Sequence, residues 1–267
     1  MTAITAQLRR TEWFRSRPDW SDLVAIAAIY IATVATFRFA FAVVGEENGI
    51  SLFLVFGVAG LLLCGVTAPA LYMTLVRGRP IAELGVGTHH LRASILLGIA
   101  FGIVQSTSLW GYDFPASVDW VPLLVMSLAV GLFEAILFRG FIQNRLEASF
   151  GLLPSIVGAA ALYSLYHVGY EMAGSELLFL LTLGVVYATI FRLTRNILII
   201  WPLVTPIGAF YNRLDSGEME GLLPWLSIFG FFEVLAAMAA VLFFAERWRR
   251  RRGHSATPIV ASSRRVA

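Results

Sequence analysis

Apolar runs long enough to cross a bilayer recur along nearly the whole chain, and no other feature limits its fold so tightly. Within hydrocarbon no water is present to satisfy backbone N–H and C=O groups, so a spanning segment must be a helix or a strand of a closed barrel. Helices need about 20 predominantly apolar residues, whereas barrel strands show short alternating stretches. The runs here are long and continuous, and the alternating pattern is missing. Composition agrees, since 58% of the 267 residues are hydrophobic and only 14% are charged. Soluble domains carry about 25% charged residues. The expected fold is all-α, a polytopic membrane bundle of about eight helices. Their approximate spans are 20–44, 51–76, 91–108, 120–147, 152–171, 176–193, 197–211 and 223–246.

Arginine placement sets the expected orientation. All 20 basic residues are Arg, with no Lys, which points to a GC-rich bacterial genome and hence to a bacterial cytoplasmic membrane. Arg9, Arg10, Arg15 and Arg17 precede the first run, and "ERWRRRRG" follows the last. Arg77, Arg79, Arg92, Arg145, Arg192 and Arg195 fall on the same side, while "GEENG", "WGYDFPASVDW" and "EMAGSE" on the other side are acidic or neutral. Under the positive-inside rule both termini are cytoplasmic. The net charge of +3 therefore bears on orientation and on anionic lipid, and not on nucleic acid. The division expected is an N-tail over 1–19, one membrane domain over 20–247 with its core at 120–212, and a basic tail over 248–267. The first run is too long for a signal-peptide core and reads as an uncleaved anchor. Cys64 is the single cysteine, which excludes an intrachain disulfide framework. Gly57, Gly60 and Gly65 in "GVAGLLLCG", and Gly98 with Gly102, supply seams where helices can approach closely.

Ionisable groups inside spans are costly and mark functional sites by default. Arg38 and Arg192 lie near span ends and read as snorkelling side chains, while Glu233 is expected to pair with Arg38 or to line a cavity. Glu134, in "LAVGLFEAILFRGFIQNRLEASF", and His167, in "ALYSLYHVGYEMAG", are the stronger candidates. The turn between their helices is expected at "ASFGLLP", centred near Phe150 and Gly151. Each residue then lies about sixteen positions from the turn, roughly 24 Å up at the helical rise, so an antiparallel hairpin brings them to one depth. A carboxylate and an imidazole there suit activation of a water molecule, or else a hydrogen bond that locks two helices.

"EAILFRG" and "YSLYH" together resemble the CPBP family of intramembrane endopeptidases, which contains CAAX-processing proteases and bacterial relatives linked to bacteriocin processing and self-immunity. The family's first motif, Glu-Glu-x-x-x-Arg-Gly, falls on Glu134, Arg139 and Gly140. The second, Phe-x-x-x-His, falls on Tyr163 and His167, and "FG" at Phe150–Gly151 stands where family members often have it. The resemblance covers roughly residues 75–212. It implies an eight-helix bundle and an endopeptidase acting on a membrane-associated protein or peptide. Glu134 would serve as general base, with His167 as its partner and Arg139 supporting the helix or the carboxylate. At i+5 of an α-helix, Arg139 is turned about 140° from Glu134, which disfavours a direct salt bridge.

Two positions depart from the family pattern. Ala135 replaces the second Glu, and "NILIIWPLVTPIGAFYN" lacks the His of the third motif, His-x-x-x-Asn. The resemblance implies that this His and Asn stabilise an oxyanion; Asn212 corresponds to the motif's Asn or else caps the helix, and Thr205, Tyr211 or Asn212 would partly compensate for the missing His. Losing one such donor costs a factor of about 10²–10³ in rate. Catalytic zinc sites use three protein ligands. Only Glu134 and His167 are candidates here, so no tightly bound zinc is expected. The departures keep a second reading open, a catalytically impaired scaffold, chaperone or bacteriocin-immunity protein. A third, a proton-coupled transporter using Glu134, His167 or Glu233, is disfavoured because no internal repeat is evident.

Overall fold

The computed structural model describes residues 12–44, 48–107, 120–167, 173–201 and 229–252. These residues form helices and short connections, with no strand among them. The helices are α1 (Trp20–Val44), α2 (Gly49–Val76), α3 (Leu91–Ser106), α4, α5 (Leu152–Leu165), α6 (Gly174–Thr194) and α7 (Phe231–Arg251). α4 runs unbroken through Trp120–Glu134, Ala135–Gln143 and Asn144–Phe150. Single 3₁₀ turns at Ile81–Leu84 and Ile197–Ile199 precede α3 and follow α6. α1, α2, α4 from Leu124 onward, and α6 are long and apolar enough to cross a membrane, and Leu91–Val104 and Leu152–Leu165 form shorter apolar helices.

Helix ends agree with the expected spans to within a few residues for most elements. α7 continues to Arg251, five residues beyond the apolar limit, because an Arg-rich sequence propagates a helix well once it leaves hydrocarbon. The seventh expected span, 197–211, enters the described residues only as the turn at Ile197–Ile199 and its continuation to Trp201.

α4 is the central helix. Of its apolar window 89% is buried, against 22% for α1, whose outward face carries exposed Val24, Ile31 and Val43. In a membrane bundle such exposed apolar side chains meet lipid and need no other partner. α4 is surrounded by α2, α5, α6 and α7, with both 3₁₀ turns against it. The glycine seam of α2 works as anticipated. Gly65 receives the ring of Phe133 from α4 and Gly60 receives the ring of Phe37 from α1, each where a Cβ would collide. Gly98 of α3 meets the backbone carbonyls of Leu198 and Ile199.

The Arg-rich loops come together at one end of the bundle. Arg145 lies 3.0 Å from Glu83 and 3.8 Å from Asp22, and Arg77 pairs with Asp19 and, at 3.3 Å, with Asp22. Arg192 and Arg195 both pair with Glu147, at 2.8 and 2.7 Å. This corrects the reading of Arg192 as a snorkelling side chain: α6 ends beside α4, so a carboxylate lies within reach. The segment before α1 is bonded across the α4–α5 turn, Arg15 N–H donating to Phe150 O at 2.8 Å and Leu152 N–H to Glu12 O at 3.0 Å. Asp19 then caps α1, accepting from the backbone of Ser21 and Asp22. The Ser21 hydroxyl hydrogen bond holds the Asp19 carboxyl down to about 2, and Arg77 adds to it against a partial desolvation. Glu233 and Arg38 do not form the expected pair, since both are exposed and neither takes part in an ion pair among the described residues.

Candidate active site

The α4–α5 hairpin turns at Phe150 and Gly151, as the spacing anticipates. Gly151 has φ +89°, a conformation that L side chains rarely adopt, and its N–H bonds back to Glu147 O at 3.0 Å. From this turn the two helices rise side by side and bring both motifs onto one buried surface. The Tyr166 hydroxyl donates to Glu134 Oε1, and His167 is the next residue along the chain. Beyond Glu134, α4 continues in wide π-type turns over Ala135–Gln143.

Tyr166 joins the two halves of the site. It caps the end of α5, its N–H donating to Leu162 O, and its ring stacks on Phe138 of α4 at 5.0 Å between centroids. The imidazole of His167 lies tilted beside that ring, with centroids 3.8 Å apart. His167 Nδ1 lies 2.9 Å from the carbonyl oxygen of Tyr163, one helical turn earlier. A carbonyl only accepts, so Nδ1 carries the proton and the lone pair resides on Nε2. The i to i+4 spacing of "YSLYH" thus sets the tautomer as well as the face. Glu134 is buried, at 6% exposure, whereas His167 is partly exposed.

Arg139 is buried among the aromatic side chains that surround Glu134. Its guanidinium lies 5.0 Å from the Tyr163 ring centroid and 5.9 Å from that of Tyr187 on α6. Its two terminal nitrogens have no hydrogen-bond partner among the described residues, and no salt bridge joins it to Glu134. It and the Tyr163 hydroxyl nevertheless lie within electrostatic reach of the Glu134 carboxyl. A buried carboxylate is tolerable only where hydrogen bonds and nearby positive charge replace water, and these groups provide both. Cation–π contacts with two rings partly replace water around the guanidinium itself.

Hydrogen bonds from neighbouring helices hold the hairpin in place. Tyr30 of α1 donates to Leu162 O at 3.1 Å, Ser164 to Leu177 O at 2.7 Å, and Gln143 to Ala188 O at 2.8 Å. The segment expected to carry the third motif begins beside α4, where Trp201 Nε1 donates to Leu128 O at 2.8 Å. Thr205, Tyr211 and Asn212 lie outside the described residues, as does the position of the absent His. Among the described residues no group of three or more His, Cys, Asp or Glu is arranged to hold a metal. Glu134 and His167 supply two donors, and the Glu134 oxygen is already engaged by Tyr166, so this set does not fit a tightly bound zinc. Tyr166 was missed from the sequence. A buried tyrosine requires a hydrogen-bond partner, and that requirement was the available signal.

In this bundle of apolar helices, buried Glu134 and Tyr166 meet the partly exposed His167 where α4 and α5 run side by side. Residues 115–204, about a third of the chain, match the family model described as type II CAAX prenyl endopeptidase Rce1-like. Over this segment the chain is similar to Rce1-like type II CAAX endopeptidases, whose model is of the CPBP family. The matched segment contains Glu134, Arg139, Tyr163, Tyr166 and His167, and stops short of Thr205 and Asn212. No curated protein and no solved structure matches the chain.

Proposed function

We propose that the protein is an intramembrane endopeptidase of the bacterial cytoplasmic membrane that hydrolyses a peptide bond in a membrane-associated protein or peptide. The observation that carries this reading is the meeting of the two motif helices at Glu134, Tyr166 and His167, on a segment matching an endopeptidase family. Glu134 takes a proton from a water lying between its carboxylate and Nε2 of His167, and the resulting hydroxide attacks the peptide carbonyl. His167 orients the water, and Glu134 returns the proton to the leaving amine. Arg139 supplies positive charge that supports the carboxylate through a step in which charge builds up in a low-dielectric site. No acyl-enzyme forms.

The test is cleavage of lipid-anchored, internally quenched peptides, a farnesylated CAAX peptide among them, by protein reconstituted in liposomes. Glu134→Gln and His167→Ala each abolish cleavage at unchanged protein abundance; cleavage retained in both variants removes the proposal. Ala135 and the missing third-motif His support a second reading, a scaffold, chaperone or immunity protein that uses the fold without hydrolysis. Under that reading Glu134→Gln still complements a deletion strain.

A further inference from the structure

We propose that Tyr166, at a variable position of the second motif, is a positioning residue that joins Glu134 and His167 into one unit; this rests on the endopeptidase reading. Its two ends perform different tasks. The hydroxyl donates to Glu134 Oε1 and so favours one carboxylate rotamer, with the Tyr163 hydroxyl also close to that carboxyl. The ring supports the imidazole of His167 from 3.8 Å, while the Nδ1 contact with Tyr163 O fixes the plane of that imidazole. The ring is itself held by stacking on Phe138 at 5.0 Å and by the edge of Phe133 at 6.1 Å, both from α4. Glu134 lies on α4 and His167 just past the end of α5, and Tyr166 contacts both, so small relative shifts of the two helices move them together.

The two tasks separate by substitution. Tyr166→Phe keeps the ring and removes the hydroxyl, whereas Tyr166→Leu removes both. In the liposome assay Tyr166→Phe is expected to lower kcat about tenfold or more, the scale of losing a hydrogen bond to a charged group, with KM within about twofold. Infrared difference spectra on protein labelled with ¹³C-glutamate give a readout that needs no cleavage. The Glu134 carboxyl band, assigned by its loss in Glu134→Gln, shifts in Tyr166→Phe. Carbethoxylation of His167, followed by mass spectrometry, keeps its wild-type rate in Tyr166→Phe and accelerates in Tyr166→Leu. An unmoved band, or a wild-type kcat in Tyr166→Phe, overturns the proposal. If the wild-type protein cleaves no peptide the endopeptidase reading fails, and the band alone then decides whether Tyr166 positions Glu134. Should Tyr166→Phe not accumulate, 3-fluorotyrosine at 166 retains the ring and changes only the donor strength of the hydroxyl, and the same band must shift.

Discussion

Gly140 stands in the first motif directly after Arg139, and its role in the structure is close approach. A Cβ there would run into the carbonyl oxygen of Leu84 and lie 2.9 Å from its carbonyl carbon, in the 3₁₀ turn Ile81–Leu84. Two links hold that turn against α4, Asn144 Nδ2 donating to Glu83 O at 2.5 Å and Arg145 pairing with Glu83 at 3.0 Å. Gly140→Ala gains about 1 kcal/mol of helix propensity. Against it stands an overpacking cost of about 1–3 kcal/mol, placed at the upper end because the obstructing atoms are backbone and cannot rotate away. The net loss is about 2 kcal/mol, or a Tm lower by roughly 4–8 °C for a chain of this size. Thermal unfolding of the purified protein in detergent measures it, with Leu84→Ala as the discriminating background. That second change removes a side chain but leaves the obstructing carbonyl, so it does not restore Tm. Gly65→Ala behaves differently: it meets the ring of Phe133, and Phe133→Leu relieves it. A wild-type Tm in Gly140→Ala, or rescue by Leu84→Ala, would refute the reasoning.

Other substitutions test the packing around the site. Glu147→Gln leaves Arg192 and Arg195 without their shared carboxylate and is expected to lower stability by about 1–3 kcal/mol, read as a Tm shift. Trp201→Phe removes the bond to Leu128 O, costs about 1 kcal/mol, and loosens the segment leading to residues 202–212, measurable as faster amide exchange there. The Asp19 carboxyl, held down to about 2 by the Ser21 hydroxyl and by Arg77, contributes stability that is complete above the ordinary carboxylate range near pH 4 and disappears as pH falls toward 2. Limited proteolysis of the segment before α1 should therefore accelerate across that window, and Asp19→Asn should reproduce the effect at neutral pH. Equal protease sensitivity of Asp19→Asn and wild type would remove that explanation.

Much of the architecture was legible because bilayer spanning leaves few solutions. The limits of α1, α2 and α6 follow from where apolar runs begin and end, and the hairpin turn follows from "ASFGLLP". Glycine spacing in α2 announced its contacts with Phe37 and Phe133, since small residues on a lipid-soluble helix have little other use. Partners of individual side chains were harder to read. Arg192 reads as a snorkelling group until α6 is placed beside Glu147, and the Glu233–Arg38 pair fails because their helices present those residues outward. Counting along an ideal helix put His167 at the depth of Glu134 without saying which side chains face each other, and the bond from the neighbouring Tyr166 to Glu134 could not be read that way.

Composition and periodicity by themselves determined that this chain is a bundle of apolar helices, that Arg77, Arg145, Arg192 and Arg195 gather at one end, and that Glu134 and His167 merit attention together. Each of these follows from local energetics, the cost of unpaired backbone and of charge in hydrocarbon, which every residue meets wherever its neighbours lie. Only the tertiary structure decided that Tyr166 holds Glu134, that Arg139 sits between two tyrosine rings, and that Gly140 admits the backbone of Leu84. Those contacts depend on helix winding and azimuth, where a displacement of one residue rotates a side chain by about 100° and exchanges one partner for another.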